Sequence, residues 1–390
     1  MNAKRVLPAA LALAALSAAG CGEDGDNGMG PGDAPTGTLA VTTASSGKQI
    51  DPDGYAFQIN GGAETAIGVN DSATMTLSAG TYVVTLTGVE SNCQALEGLT
   101  QSVIVTEGQT STMKFTLACP VALEDVIVFA STRDALSDLY VMNPDGTNVT
   151  RFSTLGNAYD PAVSPNGQTV AFTYNDSEIW AVDAEGLDLR LLTNQGSNPI
   201  WSADGTRIAF ESDRAGTFDV WTMNADGTDA VNLTDDGATD ETKPTWSPDG
   251  SRLAYTVSDG SSLKVWTINA DGTGAAALTG AMGNETYAAW SPDGTEIAYA
   301  STLCRPVDLI PCGDWELHVI GADGTGDRFL TSNLTKDIRP AWSADGTRMI
   351  FTGDEPGNYD IYTMDAGGGS SVNITSHGAE DVVSPQSWAR

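Results

Sequence analysis

The chain has 390 residues, room for two or three domains that each bury a core, and 51 acidic against 18 basic residues give it a formal net charge of −33. Such a field repels phosphate backbones and anionic lipid surfaces, which argues against nucleic acid as a partner and leaves a soluble, self-repelling surface as the plain meaning of the charge. With 43 glycines, 41% hydrophobic residues and no long stretch at helical period, the composition is that of a β-rich globular protein.

Lys4 and Arg5 precede an apolar run over 6–16, and the small residues Ser17, Ala18, Ala19 and Gly20 follow before Cys21. A charged start, a short apolar stretch and a small-residue end read as an export signal over 1–20, since the apolar stretch is too short to span a bilayer comfortably. The segment Ala18-Ala19-Gly20-Cys21 resembles a bacterial lipobox. That resemblance implies acylation of the Cys21 thiol, membrane attachment through the lipid alone and, with Gly22 after the cysteine, placement in the outer membrane of the cell envelope. Of five cysteines, acylation leaves four, an even number in an oxidising compartment. Sequence proximity suggests the pairs Cys93 with Cys119 and Cys304 with Cys312. Neither pair has CxxC spacing and the chain holds two histidines, so no metal site and no cofactor are expected.

Residues 21–36 are rich in Gly, Asp and Pro and read as a flexible tether. Glu23, Asp24 and Asp26 lack the DxDxDG spacing of a calcium loop. Over 37–120, short runs alternate apolar and polar residues between turns such as Asp53-Gly54 and Asn60-Gly61. Period-two alternation puts one side of each run into a shared core, which predicts a small Ig-like or prealbumin-like antiparallel β-sandwich of seven or eight strands. A spacer role is expected for it, with surface adhesion as the alternative.

From residue 121 to 390 the sequence repeats itself. Trp201-Ser-Ala-Asp-Gly205, Trp246-Ser-Pro-Asp-Gly250, Trp290-Ser-Pro-Asp-Gly294 and Trp342-Ser-Ala-Asp-Gly346 are copies of one pentad, and Val163-Ser-Pro-Asn-Gly167 is a degenerate one. An apolar strand follows each, as in Ile208-Ala-Phe210, and then a second turn, as in Asp226-Gly227. Asp-Gly favours the positive φ of tight hairpins, so each unit folds into a four-stranded meander. Six such units predict a six-bladed β-propeller, all-β, with Trp201, Trp246, Trp290, Trp342 and Trp388 packed between blades. The first unit starts at 126–129 with no pentad ahead of it, and Ser384-Pro-Gln-Ser-Trp388 at the end of the chain is expected to supply its missing innermost strand. The pentads, the strand after each and elements such as Asp219-Val220-Trp221 and Asp360-Ile361-Tyr362 resemble the TolB-type propeller family. That resemblance implies the propeller fold, an envelope location and a binding role.

In such a fold the residues before each innermost strand ring the mouth of the central channel. Three residues before the strand-opening proline or its equivalent stand Glu241, Glu285 and Asp337, and one residue before it Asp160, Lys243, Tyr287 and Arg339. These seven are the candidate binding residues of a mixed-charge rim. Asp138, Asp219 and Asp360 recur beside Arg133 and Arg214, and recurrence marks them as structural, with hairpin ion pairs as the expected use. No GxSxG elbow is present, and His318 and His377 are too few for a His-rich centre, so no catalytic residue is assigned. A disulfide-braced insertion over 301–314 is a possible recognition loop. The expectation is a monomeric envelope lipoprotein, not an enzyme, that binds an envelope protein or a polar ligand. A lyase or hydrolase with an unrecognised site and a passive adhesion protein are the competing readings.

Overall fold

The computed structural model describes residues 35–47, 54–89, 93–119, 122–280, 283–303, 315–333, 335–354 and 357–389. The export signal, Cys21, most of the tether, and Cys304 and Cys312 lie outside the described residues. Among the described residues the regular structure is strand throughout, and no helix is long and apolar enough to cross a membrane.

The first eight strands form two four-stranded sheets. One runs in the order Ser72–Ser78, Thr36–Gly47, Thr110–Cys119, Gln94–Ala95, the other Thr65–Ile67, Tyr55–Ile59, Gly80–Thr87, Thr100–Val105. Leu39, Val41, Phe115 and Leu117 of the first meet Phe57, Val84 and Leu86 of the second in one buried cluster, the alternation the sequence shows. The pairing is not wholly antiparallel as expected: Thr36–Gly47 lies parallel to Thr110–Cys119, from Thr38↔Thr110 to Gly47↔Cys119. Alternation fixes which face a residue takes and says nothing of strand direction, and the intervening 62 residues give ample length for the crossover that parallel pairing needs. The Cys93–Cys119 disulfide is formed, at a Cα separation of 4.1 Å.

Six further four-stranded antiparallel sheets follow. In sheet order, sheet 1 holds Thr150–Arg151, Asp138–Met142, Ile127–Ser131 and Asp381–Val382; sheet 2 Ala158–Val163, Thr169–Tyr174, Glu178–Asp183 and Arg190–Thr193. Sheet 3 holds Ser197–Trp201, Arg207–Ser212, Asp219–Asn224 and Val231–Asn232; sheet 4 Asp240–Trp246, Arg252–Ser258, Leu263–Asn269 and Ala276–Ala277. Sheet 5 holds Glu285–Trp290, Glu296–Ser301, Glu316–Gly321 and Arg328–Phe329; sheet 6 Asp337–Trp342, Arg348–Gly353, Asp360–Asp365 and Val372–Asn373.

The pentad builds the first hairpin of each meander. Ser202 Oγ donates to Asp204 Oδ1 at 2.6 Å, and that oxygen accepts the Thr206 N–H at 3.0 Å. Gly205 takes a φ of 69°, a left-handed value costly for residues with a Cβ. The same serine and backbone bonds recur at Asp249, Asp293 and Asp345, and the hydroxyl donors Ser247 and Ser343 hold the Asp249 and Asp345 carboxyls down at about 2. Their Oδ1 oxygens are spent on the turn.

Each sheet packs on the next. Val170 and Phe172 of sheet 2 meet Val128 and Leu139 of sheet 1, Trp201 and Phe210 of sheet 3 meet Ala171 and Ile179 of sheet 2, and the pattern continues through sheets 4, 5 and 6. A sixth cluster joins Ile350 and Ile361 of sheet 6 to Ile127, Phe129, Val383 and Trp388 at the two ends of the repeat region. A backbone bond repeats at five of these junctions: the N–H groups of Ala158, Gly196, Glu241, Asp337 and Asp381 donate to the carbonyls of Ser137, Ser177, Phe218, Trp315 and Tyr359. The last of them again ties the tail to sheet 6.

The tail strand is shorter and earlier than expected. Asp381 and Val382 pair with Ser131 and Ala130, the chain then turns through 383–387, and Trp388 rejoins by a bridge to Ile127. Ser384-Pro-Gln-Ser therefore forms a turn, closed by the Ser387 N–H on the Ser384 carbonyl at 3.0 Å, and the strand role passes to its flanks. Arg133 forks onto both Asp381 carboxylate oxygens, at 3.0 and 2.8 Å. Its partner lies 248 residues away and not in its own hairpin at Asp138.

Candidate functional site

In sheets 2 to 6 the first strand carries an irregularity at one place, where the register with the second strand shifts. The residues there, Asp160, Asn198, Lys243, Tyr287 and Arg339, all have φ between 47° and 57°. Positive φ at five equivalent non-glycine positions, four of them preceding proline, is a repeated bulge, and a bulge re-aims the side chain that sits on it. Four of the five were marked as rim residues by their spacing from the proline.

The bulges bring these side chains together. Arg339 Nη1 of sheet 6 donates to Asp160 Oδ1 of sheet 2 at 2.5 Å. The Arg339 guanidinium carbon lies 4.9 Å from the Tyr287 ring centre and the Lys243 Nζ 5.1 Å from it, so one aromatic ring is flanked by two cations. Glu211 completes the group: its carboxylate accepts Asn198 Nδ2 and the Lys243 N–H, each at 2.7 Å. Burial pulls Arg339 down, but the Asp160 charge and Tyr287 outweigh it and leave the guanidinium above its ordinary pKa, fixed in the charged form.

The tail turn contributes from sheet 1. The Gln386 side-chain oxygen accepts the Trp201 N–H and its nitrogen donates to the Trp201 carbonyl, both at 2.8 Å, so the amide is spent on the backbone of sheet 3. The Gln386 carbonyl accepts the Val163 N–H at 3.2 Å, and Ser384 Oγ donates to the Pro161 carbonyl. With Trp201, Trp246 and Trp388, Gln386 lines a small cavity.

Glu241, Glu285 and Asp337 are not rim residues. They are 2%, 0% and 2% exposed and lie inside the sheet junctions. The bulge explains the error, because it breaks the alternation between these positions and the ones two residues on. Glu285 Oε2 pairs with Lys264 Nζ at 2.7 Å, and Asp337 Oδ2 accepts Asn333 Nδ2 at 2.8 Å. Burial pushes all three carboxyls up, Glu241 and Asp337 to about 7.

Asp219 and Asp360 each open the third strand of a sheet, Asp138 opens the strand of sheet 1 that follows Ile127–Ser131, and all three are buried, in keeping with structural use. Arg214 does not pair with Asp219: its guanidinium packs over Phe210 and Trp221. His318 is fully buried, with Nδ1 3.2 Å from Asp327 Oδ1, and His377 is exposed. A recurring hydroxyl escaped the sequence reading. Ser153, Thr234, Thr279, Thr331 and Thr375 accept the N–H groups of Leu139, Val220, Val265, Leu317 and Ile361, at 2.9–3.1 Å, and Leu-Thr or Ile-Thr was the signal for all but Ser153, which follows Phe152. Among the described residues no group of three or more His, Cys, Asp or Glu is arranged to hold a metal ion.

No protein-family model matches the chain. A segment of 85 residues is 36% identical to the Tol-Pal system protein TolB of Anaeromyxobacter dehalogenans, covering 20% of each chain, and one of 59 residues is 36% identical to a protein TolB homolog of Chlorobium luteolum, covering 15% of this chain and 14% of that one. The relationship is to TolB-family proteins, and it is partial. The matched segment spans about a fifth of those relatives' length or less. In fold, the chain is similar to the crystal structure of TolB from Acinetobacter baumannii, with a TM-score of 0.56 and 19% identity over 66% of this chain and 65% of that one.

Proposed function

We propose that sheets 1 to 6 are the blades of a closed six-bladed propeller and that the protein is a non-enzymatic binding module whose ligand or protein partner docks at the axis. Ring closure is supported by the sixth apolar cluster and by the Asp381 N–H bond to Tyr359, which repeat between the last sheet and the first what the other junctions do. The observation that carries the binding reading is the convergence of Asp160, Lys243, Tyr287 and Arg339 from four sheets on one place. Two cations and a carboxylate around one ring offer complementary contacts to a polar or charged segment. The likeness to TolB proteins supports an envelope setting and a protein partner, and acylation at Cys21 would hold the module to the membrane while the propeller stays in the aqueous phase.

Crosslinking of the tagged full chain in its own envelope, followed by recovery of partners, tests this. The triple change Lys243→Ala, Tyr287→Ala, Arg339→Ala is expected to lose partners that Leu187→Ala, a change at an exposed loop residue, retains. Equal recovery by both variants rejects the axial site, and labelled palmitate that enters Cys21→Ala as it enters the native chain rejects the anchor.

A further inference from the structure

The repeat lets the molecule be compared with itself. At each junction the residue that opens the third strand of one sheet faces the residue three places before the proline, or its equivalent, in the next. The opening positions are identified by the hydroxyl that takes the following N–H, which places Lys264 one residue inside its strand, and the facing positions by the backbone bond across the junction or, for Glu285, by its ion pair with Lys264. Four junctions place two ionisable side chains at these positions: Asp219 with Glu241, Lys264 with Glu285, Glu316 with Asp337, and Asp360 with Asp381.

Three of the four have a donor between or beside the pair. Lys264 Nζ reaches Glu285 Oε2 and the Gly283 carbonyl, each at 2.7 Å. Asn333 gives its N–H to Glu316 Oε1 and its side-chain nitrogen to Asp337 Oδ2, each at 2.8 Å. Arg133 forks onto Asp381, and Asn373 donates to Asp360 at 2.8 Å. The lysine junction leaves one buried oxygen bare, Glu285 Oε1, and the junction of sheets 3 and 4 differs in leaving one bare on each of two acids. Asn232 satisfies Asp219 Oδ2 at 3.0 Å and Thr239 satisfies Glu241 Oε1, but Asp219 Oδ1 and Glu241 Oε2 are both buried with no hydrogen-bond partner. Asp219 is 0% and Glu241 2% exposed, and the Glu241 N–H donates to the carbonyl of Phe218, next to Asp219, at 2.6 Å. Asp236 adds a third negative charge that acts on both carboxyls. A buried acid pair with two bare oxygens is costly unless a proton or a positive charge meets it, and an ammonium does so at the equivalent place one junction on.

The geometry points to a site for one oxygen-coordinated divalent cation of the calcium class between Asp219 Oδ1 and Glu241 Oε2. The two bare donors are both carboxylate oxygens, hard ligands that suit calcium better than thiolate- or imidazole-seeking metals. Two carboxylates make a weak site, with a dissociation constant of about 0.1–1 mM, the range of extracellular calcium modules. The cation locks sheet 3 to sheet 4, two sheets that contribute Asn198, Glu211 and Lys243 to the axial cluster, but its binding does not rest on what docks at the axis.

Titration of the full chain with calcium chloride, by calorimetry and by thermal unfolding, tests the site. Saturable binding is expected, with a midpoint rise of about 3–6 °C at ten times the dissociation constant. Asp219→Asn and Glu241→Gln should each abolish both signals, whereas Asp188→Asn, at an exposed loop acid, should retain them. Asp219→Lys rebuilds the Lys264 arrangement and should be insensitive to calcium yet more stable without it than the native chain. A native chain that shows no saturable binding below 10 mM (about ten times the weaker estimate), or a calcium response that survives in Glu241→Gln and Asp219→Lys, overturns the proposal. An equal response to magnesium overturns the calcium class, because magnesium demands near-octahedral geometry.

Discussion

Replacing Trp388 by alanine probes the seam where the repeat region would close. Trp388 is 8% exposed and packs with Ile127, Phe129, Ile350 and Ile361, its indole nitrogen 3.4 Å from Asp125 Oδ1. Truncating a buried tryptophan costs about 3–5 kcal/mol, the lost transfer energy plus a cavity that the neighbours fill only in part. The backbone bonds of the tail, Val128 N–H to Ser387 and Ala389 N–H to Val126, are untouched, so the loss reports the side chain alone, its packing and its long indole bond to Asp125. For a domain of this size each kcal/mol moves the melting temperature by about 2–4 °C, which gives a fall of roughly 6–20 °C. Chemical denaturation of Trp388→Ala beside Val231→Ala, a change at a half-exposed strand residue, measures it. If Trp388→Ala costs no more than about 0.5 kcal/mol, the value for an unpacked surface side chain, the tail is not part of the core and the reasoning fails.

Two further outcomes follow from the same junctions. Gly146 has a φ of 81°, and a Cβ there would lie 2.2 Å from the Ile374 carbonyl oxygen of sheet 6, whereas a Cβ on Gly205 would meet nothing nearer than 3.7 Å; Gly146→Ala should therefore destabilise the chain clearly more than Gly205→Ala in urea unfolding. Burial pushes the Asp337 carboxyl up to about 7 from 3.8, so between those values the folded chain keeps a proton that the unfolded chain releases. Asp337 should lower the unfolding free energy across that window as pH rises, by on the order of 2–4 kcal/mol; Asp337→Asn should remove that share of the decline and leave the share of Glu241, which burial also pushes up to about 7, and an unchanged pH profile in that variant would show the Asp337 carboxyl to be ionised throughout.

The sequence carried the repeat because the pentad is itself a folding device: its serine, aspartate and glycine each have a fixed task in the turn, and where the aspartate has drifted to Asn166 the side-chain oxygen still performs it. The spacing from proline marked Asp160, Lys243 and Arg339, and the equivalent count before Ala288 marked Tyr287, because the bulge that gathers them sits at that place in each repeat. The same count misplaced Glu241, Glu285 and Asp337, since position along a strand does not tell which face a residue takes on the far side of a bulge. The partner of Arg133 was out of reach for another reason: an ion pair across 248 residues exists only once the ends of the repeat region meet. The bare oxygens of Asp219 and Glu241 were likewise invisible, because only the junction as a whole shows that no donor faces them.

Hydrogen–deuterium exchange on the intact chain tests the closed arrangement most directly. If the tail completes sheet 1, the amides of 381–389 exchange as slowly as those of Asp337–Trp342, the matching strand of sheet 6, and Ile127–Ser131 is protected to the same degree. Exchange of 381–389 within seconds, at the rate of a free chain end, would contradict it.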